Sequence, residues 1–231
     1  MEKNSPRIKI TEGGPYIVTK DIPLNQAAIE QDAEGNSVGW GKGRDYDTGG
    51  TPYALCRCGR SGNKPFCDGT HAKIGWKGKE TASRVPYAEA ARVYEGGTVD
   101  MLDRPELCAV ARFCDVVNAW QMAMQSSEMH PEHEEIATRE ACDCPSGRLT
   151  VRKGGIEAEP ELPQEISLVE DLYYDVKGPL FVKGGITLES ADGSEYEVRN
   201  RRTLCRCGES RNLPFCDAAH LKCEHMKGLD E

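Results

Sequence analysis

The chain has 231 residues and 11 cysteines, and its 24 glycines and 13 prolines predict two or three small, loop-rich modules with a thin hydrophobic core. No apolar run reaches the length of about 18 residues that a membrane helix needs, and a net charge of −9 argues against a nucleic-acid-binding face. The N-terminal residues lack the apolar segment of a signal peptide. We therefore expect a cytoplasmic protein whose cysteines are metal ligands or redox groups and not disulfides.

The first predicted elements are short strands near the N-terminus. Residues 14–24 place apolar and β-branched positions between Gly and Pro, which is typical of antiparallel strands, and residues 178–188 repeat this pattern. A cysteine loop, residues 55–71, follows and returns without insertion as residues 204–220, with 12 of 17 positions identical. We call each strand-and-loop unit a repeat, and the duplication predicts two similar modules.

Between the repeats the sequence changes character. Residues 86–138 are predicted to be largely helical, and apolar residues at three- and four-residue spacing predict one helix over residues 107–124. Two further strands, predicted at residues 147–151 and 196–199, would extend the sheet of the repeats. A basic run, residues 199–202, is interpreted either as a solvated strand or as a docking site for an acidic redox partner.

Each cysteine loop offers three thiols and one imidazole at a fixed spacing. The candidate ligands are Cys56, Cys58, Cys67 and His71 in the first loop, and Cys205, Cys207, Cys216 and His220 in the second. Such a set holds either structural zinc or an iron–sulfur cluster. Zinc sites favour wider Cys-x2–4-Cys pairs, so the tight Cys-x-Cys favours the cluster. Asp68 and Asp217 are predicted N-caps of a short helix that carries the histidine at its third position.

The loops resemble the motif of the CDGSH iron–sulfur family, Cys-x-Cys-x2-Ser/Thr-x3-Pro-x-Cys-Asp-Gly-Ser/Ala/Thr-His. The first loop matches it throughout, whereas the second has Ala218 and Ala219 where the first has Gly69 and Thr70. The resemblance implies that each loop binds one [2Fe–2S] cluster through its three cysteines and its histidine. Because Ala219 lacks the hydroxyl of Thr70, we expect the second site to lose its cluster first.

The resemblance also implies a fold. Family members with one motif form homodimers, so this chain is expected to be a monomer that folds as an intramolecular version of such a dimer. The expected class is α+β, with small β-rich modules over residues 1–85 and 151–231 related by pseudo-two-fold symmetry. A helical insert, residues 86–150, is expected between them.

The insert contains four more cysteines. Cys108, Cys114 and Cys144 resemble the ligands of divergent mono-cluster ferredoxin domains, which implies a third cluster of the [3Fe–4S] or [4Fe–4S] type. Three alternatives stay open for its fourth ligand: Cys142, His130 or none. In the competing interpretation, these cysteines are buried thiols of a degenerate domain.

These features predict a protein that transfers single electrons or donates clusters to a redox or cluster-acceptor protein. The alternatives are an electron-transfer subunit of an oxidoreductase and a zinc-stabilised protein-interaction module. The sequence contains no nucleotide fingerprint, flavin motif or Ser/His/Asp arrangement, so no catalytic residues and no enzyme activity are predicted. Cys223, which lies outside any motif, is interpreted as a spare thiol.

Overall fold

The computed structural model describes residues 5–115 and 119–230, which form more strand than helix. In chain order, the strands of these residues are β1 (Arg7–Ile10), β2 (Tyr16–Thr19), β3 (Leu24–Gln31), β4 (Ser37–Asp45), β5 (Tyr53–Leu55), β6 (Arg92–Tyr94), β7 (Asp100–Asp103), β8 (Leu149–Lys153), β9 (Ile156–Ala158), β10 (Ile166–Asp171), β11 (Val176–Lys183), β12 (Thr187–Glu189) and β13 (Arg201–Leu204). The α-helices are α1 (Thr70–Lys73), α2 (Tyr87–Ala90), α3 (Ala119–Ser126) and α4 (Pro131–Asp143), and 3-10 helices occupy Pro105–Leu107, Phe113–Asp115, Ala219–Lys222 and Glu224–Met226. Within the described residues, no helix combines the length and the apolar character needed to cross a bilayer.

The two repeats exchange strands between two sheets. One sheet has the order β12-β1-β2-β5, and the other has the order β13-β11-β10-β3-β4. Strand β12, from the second repeat, pairs in parallel with β1, and strand β3, from the first repeat, pairs in parallel with β10. Each sheet therefore contains a strand of the other repeat, and neither repeat completes its sheet alone.

Both sheets contribute to one hydrophobic core. Alternation along β1 and β2 buries Ile8, Tyr16 and Val18, as expected for strands with one face covered. These side chains belong to the same buried cluster as Leu168 and Leu180 of the second repeat. Because the apolar contacts cross between the repeats, we expect the two repeats to unfold as one unit.

The segment between the repeats was predicted to be largely helical, but it is a mixed unit of strands and helices. Strands β6, β7, β8 and β9 form an antiparallel sheet in that order. Its buried cluster joins Met101 and Leu149 of the sheet to Trp120 of α3 and Ala137 of α4. The strand predicted at 147–151 is present as β8, but it belongs to this third sheet and does not extend the sheets of the repeats.

The helix predicted over residues 107–124 is wrong in its first half. Residues 108–112 form no helix, and Val110 and Arg112 have φ values of 56° and 64°. This left-handed backbone conformation is incompatible with an α-helix. The Arg112 guanidinium pairs with both carboxylate oxygens of Asp171, at 2.7 and 2.8 Å, and this contact holds the turn in place. Residues 116–118 of the predicted helix lie outside the described residues.

The strand predicted at residues 196–199 is also wrong, since the nearest strand, β13, begins at Arg201. Side chains of residues 196–199 bind other parts of the chain. The Tyr196 hydroxyl donates to Glu80 at 2.7 Å, and the Arg199 guanidinium carbon lies 3.4 Å from the ring centre of Tyr87. The Arg199 contact holds one end of the segment beside the insert, and the Tyr196 contact holds the other end beside the N-terminal module.

The basic run at residues 199–202 ends in a strand, since Arg201 and Arg202 begin β13, but these two arginines are buried, so the run is neither a solvated strand nor an open docking site. Arg201 and Arg202 are only 1% and 3% exposed. Arg201 pairs with Glu159 at 2.6 Å and donates to the carbonyl oxygens of Cys142 and Cys144 at 2.9 and 2.8 Å. This arginine therefore ties the second repeat to the insert.

Candidate metal centres

Each cysteine loop leaves the end of a strand and folds back onto it. In the first loop, the Cys56 amide donates to Pro65 O at 2.8 Å and the Cys67 amide donates to Ala54 O at 2.9 Å. The second loop repeats these bonds at the equivalent positions, at 2.8 and 3.0 Å. These bonds hold the first and third cysteines of each loop close to the end of β5 or β13.

The eight predicted ligand side chains lie in four pairs, two in each loop. The pairs are Cys56 with Cys58 (Sγ–Sγ 3.8 Å), Cys67 with His71 (Sγ–Nδ1 3.3 Å), Cys205 with Cys207 (Sγ–Sγ 3.5 Å) and Cys216 with His220 (Sγ–Nδ1 3.4 Å). Two sulfur ligands at about 2.3 Å from one tetrahedral metal lie about 3.8 Å apart, so each pair has roughly the spacing of two ligands on one metal. Among the described residues, no group of three or more Cys, His, Asp or Glu side chains closes around a single ion position.

An aspartate after the third cysteine braces each loop. One oxygen of Asp68 accepts the Thr70 amide at 2.9 Å, and the other accepts the Gly62 amide at 2.8 Å. Hydrogen bonds from the amide and hydroxyl of Thr70 and from the Gly62 amide hold the pKa of Asp68 well below its ordinary value. Asp217 accepts the equivalent two amides in the second loop. The aspartate thus joins the middle of the loop to the start of the histidine-bearing helix.

The predicted N-caps are displaced by one residue. The N-cap residues are Gly69 and Ala218, which follow the two aspartates, and each histidine occupies the second position of its helix. Gly69 and Ala218 have φ values of 83° and 65°. Glycine adopts this left-handed conformation without strain, whereas alanine does not. The second loop therefore carries a strained residue where the first has none.

The arginine between the first two cysteines anchors each loop, and it was not among the predicted residues. Arg57, 1% exposed, donates to the Gly14 carbonyl at 2.8 Å. Arg206, also buried, pairs with Glu170 and Asp230, each at 2.8 Å. The occurrence of Cys-Arg-Cys in both repeats is the sequence signal that identifies this role.

The two loops contact each other through their glycines. A Cβ on Gly59 would lie 2.5 Å from Cys207 O, and one on Gly208 would lie 2.5 Å from Cys58 O. Both glycines also have positive φ, 74° and 81°, as the predicted tight bend requires. The Trp76 indole N–H donates to Gly208 O at 3.2 Å. The shape of each loop therefore depends on the other.

The two ligand sets differ in their exposure to solvent. In the second set, Cys216 and His220 are each 3% exposed, whereas Cys67 and His71 of the first set are only half-buried. Burial, with the Arg206 cation acting in the same direction, lowers the pKa of His220 to about 4. The same ligand spacing thus occurs in two different environments.

Three cysteines of the insert line one cavity of about 260 Å³. They are Cys108, Cys114 and Cys144, the three that resemble ferredoxin ligands. Burial, followed by the neighbouring Cys144, raises the pKa of Cys114 to about 12. Residues separated by 36 positions in the sequence therefore meet at one site.

The two proposed fourth ligands lie elsewhere. The Cys142 thiol contacts Ala158 O at 3.8 Å, and His130 is largely exposed beside Glu132. Of the described residues, neither Cys142 nor His130 lines the cavity. Cys223, interpreted as a spare thiol, packs against the buried cluster that contains Cys207.

Two segments of the chain, residues 13–72 and 177–221, match the sequence model of the family described as an iron-binding zinc finger of the CDGSH type. Each matched segment contains one complete cysteine loop. No curated protein sequence and no solved structure matches the chain.

Proposed function

Because the chain is a tandem CDGSH protein, with two iron-binding domains of that type, we propose that it is an iron–sulfur protein with one [2Fe–2S] cluster in each loop. The proposed ligands are Cys56, Cys58, Cys67 and His71 for the first cluster, and Cys205, Cys207, Cys216 and His220 for the second. The observation that carries the proposal is the pairing of these side chains at 3.3–3.8 Å within each loop.

This pairing favours a two-iron cluster over zinc. A two-iron cluster takes two protein ligands on each iron, which one Cys–Cys pair and one Cys–His pair supply. Structural zinc takes four ligands around one ion. The zinc-stabilised interaction module is therefore the weaker alternative.

We propose a carrier role for the protein and no enzyme activity. A bound [2Fe–2S] cluster supplies one-electron chemistry, and the chain controls how close a partner can come. The Cys56–Cys58 pair is buried, whereas Cys67 and His71 lie partly exposed at the other side of the site. Electrons, or the cluster itself, would pass to a redox or cluster-acceptor protein at this exposed pair.

We also propose that the protein is a cytoplasmic monomer in which the two modules are related by a pseudo-two-fold axis. The sheet order supports this arrangement, because β12-β1-β2-β5 contains β12 from the second repeat, and β13-β11-β10-β3-β4 contains β3, with its partner β4, from the N-terminal module. Single-motif relatives would need a second chain to supply that strand.

A third cluster is a second proposal, supported by the cavity that Cys108, Cys114 and Cys144 line. Three thiolates suit a [3Fe–4S] cluster, or a [4Fe–4S] cluster whose fourth ligand is not a cysteine. The competing interpretation remains a group of buried thiols.

Counting iron and acid-labile sulfide under anaerobic conditions, with EPR of the reduced protein, tests both proposals. Cys67→Ala and Cys216→Ala should each remove about two irons and two sulfides relative to the wild type. Cys114→Ala should remove only a third signal, and Cys223→Ala is the control that removes no iron. Zinc in place of iron, without sulfide, would refute the main proposal.

A further inference from the structure

The buried basic run leads to a small cavity beside the second loop. The cavity has a volume of about 40 Å³, and four arginines line it, namely Arg84, Arg104, Arg199 and Arg202. The acidic residue of the lining is Glu197. The cavity is only partly enclosed, since the Arg84 side chain is 39% exposed, and this concentration of positive charge is unusual in a protein whose net charge is −9.

Arg202 lacks the partners that a buried guanidinium requires. It is 3% exposed, and its Nη2 donates only to backbone carbonyl oxygens, at 2.9 Å to Glu197 O and 3.5 Å to Arg199 O. Its Nε and Nη1 atoms are buried and have no hydrogen-bond partner within the part of the chain that the structure describes. An unpaired buried charge is costly, so such groups usually mark a bound water or ion.

The neighbouring arginines do not relieve this charge. Arg199 lies over the Tyr87 ring, and its Nη2 donates to Gly147 O at 3.0 Å and to Thr150 Oγ1 at 3.3 Å, which orients the guanidinium without neutralising it. Burial lowers the pKa of Arg202 to about 10, and Arg199 acts in the same direction. Arg104, by contrast, has a carboxylate partner in Glu106 at 2.7 Å. Arg84 likewise has Glu80 at 3.7 Å, so Arg199 and Arg202 are the two lining arginines without an ion pair among the described residues, and Glu197 is the one lining carboxylate set against them.

We propose that this cavity binds a small tetrahedral oxyanion, such as phosphate or sulfate, with Arg202 and Arg199 as its principal contacts. Guanidinium groups recognise such anions through charge-assisted hydrogen bonds. A water needs about 10–15 Å³ by this measure, so 40 Å³ has room for one small anion and for little else. The site does not depend on the proposed iron–sulfur function.

An anion bound in this cavity would lie next to residues of the second cysteine loop. Asn212 and Phe215 of the second loop line the cavity together with Leu107 of the insert. The Asn212 side chain also donates to Glu106 O at 3.0 Å, which joins the loop to the insert. Occupancy would therefore strengthen the contact between the insert and the second loop.

Isothermal titration calorimetry of the metal-loaded protein with inorganic phosphate, at constant ionic strength in chloride, tests the proposal. The wild type should bind one phosphate per chain. Arg202→Met should weaken binding at least tenfold, and without phosphate it should unfold at the same or a higher temperature because the unpaired charge is gone. Arg199→Met is a second variant that should also weaken binding at least tenfold.

Arg211→Met is the matched control, because the Arg211 side chain is 97% exposed in the same loop and its loss changes the net charge equally. This control should bind phosphate as the wild type does. In a second arm, glycerol phosphate should bind more weakly than inorganic phosphate, because the cavity has room for little beyond the anion itself. Absence of binding to the wild type, or equal binding to wild type and Arg202→Met, would overturn the proposal.

Discussion

The two cysteine loops share one ligand spacing but differ in what surrounds it. The second loop lies against the insert, and its Cys216 and His220 are almost fully buried, whereas Cys67 and His71 of the first loop are partly exposed. The buried arginine of the second loop is paired with two carboxylates, and that of the first is bound to carbonyl oxygens. The comparison indicates that the duplicated motif selects the metal, whereas the neighbouring elements set access to it.

This difference reverses the expected order of cluster loss. The sequence suggested that the second site would fail first because Ala219 lacks the hydroxyl of Thr70. In the first loop, the Thr70 hydroxyl helps to lower the pKa of the Asp68 carboxyl, which is not one of the candidate ligands. We expect burial of the second site to outweigh the missing hydroxyl, so that the first cluster leaves first.

The largest expected difference between the loops is the loss of stability when the arginine between the first two cysteines is replaced. Arg206→Met leaves the buried Glu170 and Asp230 carboxylates without their cation and should lower the free energy of unfolding by about 3–5 kcal/mol at pH 8. Arg57→Met breaks bonds to carbonyl oxygens and a cation–π contact with Trp76, leaves no buried carboxylate unpaired, and should cost about 1–2 kcal/mol. Denaturant unfolding of both variants measures the difference, and equal losses would contradict it.

A second difference should be visible in the dependence of stability on pH. Burial, and then the Asp230 charge, raise the pKa of Glu170 to about 7, despite the opposing Arg206 cation. Since the pKa of Glu170 is higher in the folded protein than the value of about 4.3 in an unfolded chain, this group stabilises the fold fully below pH 4 and loses that contribution as pH rises through 7.

The wild type should therefore lose roughly 1–3 kcal/mol of unfolding free energy between pH 5 and pH 8 through this group. Glu170→Gln should remove most of that slope, and urea unfolding at several pH values measures it. The exposed Glu12→Gln is a control that should leave the slope intact. An unchanged slope in Glu170→Gln would show that this carboxyl does not titrate in the window.

A smaller effect is expected from a hydrogen bond that only the second loop receives. The Tyr16 hydroxyl donates to Cys205 O at 2.9 Å, whereas the equivalent position of the second repeat is Leu180. Tyr16→Phe should cost about 1–2 kcal/mol and shorten the lifetime of the second cluster without changing the first. Tyr53→Phe, which loses a bond to Ile22 O, is the control that should leave the lifetime of the second cluster unchanged. Equal shortening in both variants would count against the assignment.

The smallest effect concerns the residue before the histidine-bearing helix. Ala218→Gly relieves a left-handed alanine and should stabilise the protein by about 1 kcal/mol, whereas Gly69→Ala should destabilise it by a similar amount. Thermal unfolding of the pair measures both signs. Destabilisation by Ala218→Gly would indicate that packing of the methyl group outweighs the backbone strain.

The ligand sets and the duplication could be read from the sequence because they depend on local spacing. Identical spacing in two loops needs no knowledge of tertiary contacts, and the match of both segments confirms the family. The role of Arg57 and Arg206 was also within reach, since Cys-Arg-Cys occurs in both repeats.

The rest of the fold depends on contacts between distant residues. The pairing of Arg7 with Thr187 joins strands from opposite ends of the chain, and no periodic pattern encodes it. The turn at Arg112 replaces the predicted helix because Asp171, 59 residues later, holds it. Burial of Arg202 likewise comes from the insert and the second loop together, so local charge alone suggested a solvated surface.

The order of cluster loss tests the comparison most directly. Cys216→Ala should keep only the first loop's cluster, and Cys67→Ala should keep only the second. In the presence of an iron chelator, the visible absorbance of these two variants reports each lifetime separately, with Cys114→Ala introduced into both so that a third cluster does not contribute. We predict that the first cluster is lost several times faster than the buried second one. Equal lifetimes, or faster loss from the second loop, would contradict this account, and absence of visible absorbance from both variants would refute the clusters themselves.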